Sequence, residues 1–99
     1  MITISPILEG NRLNLSIQGH AGYAEAGKDI VCAAVSAITY TLLQAVFDAG
    51  IRPDKFREEA GNFYVSAKLD DRTKIAAQAL LRGYERIAAA YPENIFVKK

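Results

Sequence analysis

The sequence has no tryptophan, one cysteine, one histidine and one methionine among its 99 residues. A single cysteine cannot close a disulfide within the chain, so the thiol content gives no sign of an oxidising compartment. One cysteine and one histidine also fall short of the four Cys or His ligands that a structural zinc site usually takes. Neither a metal nor a cofactor is expected. A dominant charge is missing too: twelve Lys and Arg against eleven Asp and Glu leave a net +1. That lacks the basic excess of a nucleic-acid module, and no direct nucleic-acid partner is expected. Repeats, low-complexity tracts and linkers are absent as well. What is there is 51% hydrophobic and 23% charged, the balance of a globular chain. Residues 1–99 are expected to form one domain that buries roughly two-thirds of its unfolded surface.

The first basic residue is Arg12, and Met1–Leu8 is a short mixed run broken by Pro6. A secretory signal needs a basic start followed by a longer apolar stretch, an order not found here. From Ile30 to Phe47 eighteen residues carry no charge, the lower edge of a membrane span. Ser36, Thr39, Thr41 and Gln44 interrupt it, and Asp29 and Asp48 stand at its ends. A core helix of a cytoplasmic protein, shared with a second subunit, is the simpler expectation. No membrane association is expected.

Leu13, Leu15 and Ile17 alternate with Asn14, Ser16 and Gln18, the two-residue period of a half-buried strand. Ile2, Ile4 and Ile7-Leu8 form a strand before it, with Pro6 requiring an edge or a bulge. The Glu9-Gly10-Asn11 turn joins the two as a hairpin. Periodicity then dissolves between Gly19 and Lys28, where Gly19, Gly22 and Gly27 mark a loop. Asp29 suits an N-cap for a helix from about Ile30 to Ala49, stopped by Gly50. Phe56–Ala60 and Phe63–Leu69 flank Gly61-Asn62 as a second hairpin. Asp70 or Asp71 caps a second helix to about Tyr91, with Ala76, Leu80, Gly83-Tyr84 and Ile87 as its apolar face. Ile95–Val97 reads as a last short strand. The order ββαββα(β) predicts an α+β two-layer sandwich, a mostly antiparallel sheet with both helices on one face.

The only cysteine and the only histidine lie twelve positions apart, at the two edges of the glycine-punctuated loop. Taken singly, a buried cysteine is usually a small hydrophobe and a turn histidine usually bonds to backbone. Position changes that reading. With Asp29 as cap, Cys32 is the third helical residue, where unpaired N–H groups and the helix dipole favour a thiolate. His20, at a strand end, is positioned to act as general base and then to protonate a leaving amine. Free amides of the same turn, including that of Ala33, would hold a tetrahedral oxyanion. The negative charge of Asp29 opposes a nearby thiolate unless an imidazolium compensates, which leaves open a second role in orienting His20. Ser36 lies one helical turn beyond Cys32, either bonding the carbonyl of residue 32 or positioning sulfur and substrate.

Gly19-His20-Ala21, followed after a glycine-bearing loop by Asp29-Ile30-Val31-Cys32-Ala33-Ala34-Val35-Ser36, resembles the ribosomal-processing cysteine protease family Prp. The resemblance runs the whole length, to the closing Tyr91-Pro92-Glu93-Asn94-Ile95. It implies a homodimeric cysteine endopeptidase that removes an N-terminal extension from a bacterial large-subunit ribosomal protein at an aromatic-rich sequence. Some phage capsid or scaffold proteins carry similar cleavage sites. By the same resemblance Cys32 is the nucleophile and His20 the general base, with Asp29 and Ser36 in support. Gly19 sets the turn that presents His20, and Gly22 to Lys28, with Tyr23 and Gly27, form a lid over the substrate.

The competing expectation is a non-enzymatic ribosome- or RNA-associated binding subunit, with Tyr and Phe stacking on bases. No basic, aromatic-interleaved motif supports it, and Lys68, Arg72 and Lys74 are interrupted by Asp70 and Asp71.

Overall fold

The computed structural model describes residues 1–98 apart from Ala26. The elements, in chain order, are β1 (Ile2–Glu9), β2 (Arg12–Gln18), α1 (Ile30–Asp48), β3 (Lys55–Glu59), β4 (Asn62–Lys68), α2 (Asp71–Ala90) and β5 (Ile95–Val97). The five strands form one sheet in the order β3-β4-β2-β1-β5. Every neighbouring pair is antiparallel except β1 with β5, which is parallel. The expected α+β sandwich is therefore the observed one.

Alternation decides which face of the sheet is buried. Ile2 and Ile4 from β1, Leu13, Leu15 and Ile17 from β2, and Phe63, Val65 and Ala67 from β4 all face the helices. Register brings them side by side, with Leu13 opposite Ala67, Leu15 opposite Val65 and Ile17 opposite Phe63. Each of the larger side chains contributes roughly 1.5–3 kcal/mol by leaving water. Pro6 sits opposite Leu15. Strand β5 pairs only with Ile2–Ile4, so the backbone at Pro6 is an open edge, and its missing N–H costs no ladder bond.

The two helices cover that face and pack against one another. On α1 the buried stripe is Val31, Val35, Thr39, Leu42, Leu43 and Val46. Thr39 Oγ1 donates to the Val35 carbonyl at 2.7 Å and lies 2.6 Å from the Tyr84 hydroxyl of α2, a buried polar link between the helices. Burial pushes that phenol up to about 12. The apolar face of α2 is offset from the one read off the sequence. Thr73, Ala77 and Tyr84 are its buried residues, while Leu80, Leu81, Ile87 and Ala88 pack partly against the core. Gly83 serves as the close-approach point: a β-carbon there would lie 2.8 Å from Ile38 Cδ1.

Helix α1 is the uncharged helix that the sequence leads one to expect to be shared with a second subunit. Only one stripe of it is covered, and Ile30, Tyr40 and Phe47 remain 54%, 55% and 48% exposed. By length and composition alone α1 is apolar enough to cross a bilayer.

Candidate active site

Strand β2 ends at Gln18, and the next residue can only be glycine. Gly19 has φ +93, and a β-carbon on it would collide with the Met1 carbonyl oxygen. Its N–H donates to the Gly61 carbonyl at 2.9 Å, tying the end of β2 to the β3–β4 turn. The chain then turns outward and exposes His20. The imidazole rests against that same turn: a β-carbon at Gly61 would lie 2.9 Å from its Nε2.

On the other side of the site Asp29 is the N-cap of α1, with φ −84 and ψ 100. One carboxylate oxygen accepts from the amides of Val31 at 3.0 Å and Cys32 at 2.9 Å. The other accepts from Tyr23 at 3.0 Å and Ala24 at 3.3 Å, in the loop that precedes the helix. The Cys32 amide foremost, with the other three, holds the Asp29 carboxyl below the usual carboxylate range. These bonds correct the expectation of free first-turn amides. Those of Val31 and Cys32 are engaged by the cap, and that of Ala33 donates to the Asp29 carbonyl at 3.1 Å. The Asp29 carboxylate makes its hydrogen bonds to backbone and none to His20.

The connecting loop is anchored at its root. Ala21 is buried, and its carbonyl accepts from Asn94 Nδ2 at 2.9 Å. Tyr23 packs edge-on against Tyr91, with ring centroids 5.4 Å apart at 84°. Its ring thus contacts the end of α2, while Gly22 and Gly27 line the hollow beside Cys32.

Two hollows meet at the sulfur. His20, Cys32 and Ser36 line both. The loop-side hollow, about 510 Å³, adds Gly22, Ala24, Gly27, Asp29 and Ala33. The sheet-side hollow, about 250 Å³, runs between α1 and the β3–β4 hairpin, with Phe63, Tyr40 and Glu58 among its walls. Its volume suits a single side chain rather than a whole small ligand. The Glu58 carboxylate beside the Tyr40 hydroxyl, as an acceptor and a negative charge, pushes the phenol up. Cys32 is half-buried, with its backbone in the first turn of α1. Among the described residues Ser36 Oγ has no hydrogen-bond partner in the chain, whereas Thr39 and Thr41 bond the carbonyls four residues back. The Ser36 hydroxyl therefore stands free at the junction of the two hollows.

All the expected site residues except Tyr23 gather here; Tyr23 reaches the site only through its backbone. Sequence reading missed the sheet-side wall. Tyr40 was within reach, because positions 32, 36 and 40 share a helical face. Glu58, Gly61 and Phe63 carry no such signal, since they arrive only because β4 pairs with β2.

A family model described as cysteine protease Prp matches residues 1–96. A ribosomal processing cysteine protease Prp of Staphylococcus aureus is 31% identical over 101 residues, covering 96% of this chain and 95% of that protein. The Bacillus subtilis protein of the same name is 36% identical over 93 residues, covering 86% of this chain and 83% of its own. Among solved structures, the S. aureus Prp with a covalently linked product peptide superposes with a TM-score of 0.87 at 28% identity, covering 99% of this chain and 98% of that one. The same S. aureus protease with a substrate peptide superposes at 0.79 and 27% identity, again over 99% and 98%. A non-enzymatic binding subunit is thereby set aside. The chain belongs to the Prp family of cysteine proteases.

Proposed function

We propose that this protease is an endopeptidase in which Cys32 attacks the scissile carbonyl and His20 acts as general base and acid. The observation that carries the reading is that Cys32 and His20 line both hollows and stand where these join. An extended peptide crossing from one hollow to the other passes its backbone over the sulfur. His20 takes the thiol proton, the sulfur bonds to the carbonyl carbon, and the C–N bond breaks as the imidazolium protonates the leaving amine. Water, deprotonated by His20, then releases the acid product and restores the thiol. The covalently linked product peptide in the S. aureus relative is in keeping with such a thioester.

Asp29 acts through the backbone, holding the turn of Cys32 and the loop, rather than as a third member that orients His20. Ser36 presents its free hydroxyl to substrate or sulfur. Ala33 lines the loop-side hollow, Gly19 fixes the strand end before His20, and Gly22 to Lys28, with Tyr23 and Gly27, form the lid. The substrate we propose is the N-terminal extension of a bacterial large-subunit ribosomal protein, or a phage structural protein with a similar cleavage sequence; the relatives' names support ribosomal processing. Phe63 and Tyr40 suit the sheet-side hollow to an aromatic side chain. The protein works in the cytoplasm, without binding nucleic acid or membrane itself. A second copy covers the exposed Tyr40 and Phe47 of α1, since neither the sheet nor α2 buries them.

The test is incubation with a peptide copy of such an extension, read by mass. Cys32→Ala should abolish cleavage, and His20→Ala should lower kcat by about 10²–10⁴-fold. Both should keep the wild-type circular dichroism and sedimentation. Full activity in either variant overturns the assignment, and sedimentation as a monomer at micromolar concentration overturns the dimer.

A further inference from the structure

The β3–β4 turn carries no group that reacts, yet it touches the histidine twice. The Gly61 carbonyl accepts from the Gly19 amide at 2.9 Å, holding the backbone immediately before His20. The space a side chain would occupy at Gly61 is filled by the imidazole. A β-carbon there would lie 2.9 Å from Nε2, 3.4 Å from Cε1 and 3.5 Å from Cδ2 of His20. The three distances describe a ring whose Nε2 end abuts the Cα of Gly61. The first of these is shorter than real atoms sustain, so any other residue at 61 must displace the ring.

The first hairpin supplies an internal contrast. Gly10, in the β1–β2 turn, also has a positive φ, +57 against +71 at Gly61. Nothing lies within 4 Å of a β-carbon at Gly10. Turn geometry alone therefore accounts for glycine at 10, whereas Gly61 meets a second demand. His20 is exposed and makes no side-chain hydrogen bond among the described residues, so the turn is the contact that fixes where its ring sits.

We infer that Gly61 is a positioning residue for this protease: it seats the His20 imidazole against the β3–β4 turn and so sets how the ring approaches Cys32 across the hollows that both residues line. The inference rests on His20 as the general base. A side chain at 61 moves the ring by about the displacement that costs a positioned catalytic group up to ~10²-fold in rate.

The experiment compares Gly61→Ala, Gly61→Asn and Gly10→Ala, with His20→Ala as reference. Asparagine tolerates a positive φ better than alanine, so Gly61→Asn relieves backbone strain while keeping the clash. Peptide cleavage gives kcat and KM, and the pH profile of Cys32 alkylation by iodoacetamide reports whether the imidazole still acts on the sulfur. Both Gly61 variants should lose about 10–100-fold in kcat with KM within about threefold. Their alkylation profile should move toward that of His20→Ala. Gly10→Ala should melt lower, as Gly61→Ala does, but keep the wild-type kcat and profile. Gly61 variants indistinguishable from Gly10→Ala in kcat and profile overturn the inference. Full cleavage by His20→Ala overturns instead the general-base assignment beneath it. Loss of fold in Gly61→Ala alone leaves Gly61→Asn to decide.

Discussion

Both helices start at an aspartate, and the two are employed differently. Asp70 accepts from the Thr73 amide at 2.7 Å, and the first turn it caps adds a second acid, Asp71. That is a helix start built for stability, with negative charge at the positive end of the dipole. Asp29 accepts from four amides, two in its own helix and two in the loop before it, and its first turn contains no acidic residue. The third helical position, which holds Thr73 in α2, holds Cys32 in α1. One carboxylate only caps a helix; the other joins a helix to a loop, beside the proposed nucleophile Cys32.

Alanine at each aspartate breaks the comparison most directly. Each change should lower the melting temperature by a similar few degrees, as losing a cap does. Only Asp29→Ala should also lower kcat/KM, by about tenfold or more, because it frees the loop and the turn of Cys32 together. Peptide cleavage assays on the two variants check this; equal activity would reduce Asp29 to an ordinary cap.

Acid titration sharpens the same contrast. Hydrogen bonding holds both carboxyls below their ordinary value of 3.8, chiefly from the Cys32 amide at Asp29 and from the Thr73 side chain at Asp70. A carboxyl whose folded value is depressed binds fewer protons folded than unfolded. It therefore stabilises the fold above the unfolded value, and that contribution fades as pH falls through the folded one. Melting temperature should hold steady near neutrality and decline below about pH 4. The decline should be shallower in the Asp29→Ala, Asp70→Ala double variant. Hydrogen exchange at the Tyr23 and Ala24 amides should rise over the same range, whereas the Asp70 end has no loop to release.

The smallest effect belongs to the Tyr23–Tyr91 contact, whose edge-on pairing is worth about 0.5–1.5 kcal/mol. Tyr23→Ala should shift KM by about threefold or less while leaving kcat unchanged. A change in kcat would mean that the ring supports the Cys32 side of the site, not only the loop.

How much of this could be read beforehand depended on distance along the chain. The cap of α1 was legible at Asp29 and that of α2 to within Asp70 or Asp71, because each precedes a run with helical spacing and caps amides within three residues. Strands β2 and β4 were legible from strict alternation, and the grouping of Cys32 with His20 around shared hollows from their lying within fifteen residues, Gly19 to Ala33. The wall formed by Phe63, Glu58 and Gly61 was not, because strand order is set by which apolar faces pack together and has no local signature. The uncovered side of α1 was legible only as an excess of apolar surface over what one sheet face and one helix can cover. A run without charge shows that a helix avoids water, but not how many of its sides one subunit encloses.

The clasp between Thr39 and Tyr84 locks α1 to α2 less than two turns beyond Cys32. The sulfur therefore rides on a helix pinned to its neighbour by a buried polar link, whereas the imidazole hangs from a strand end and leans on a hairpin tip. Anyone wishing to retune this enzyme, for a slower clock or a different peptide, has the tip to rework. The helix pair leaves far less room for adjustment.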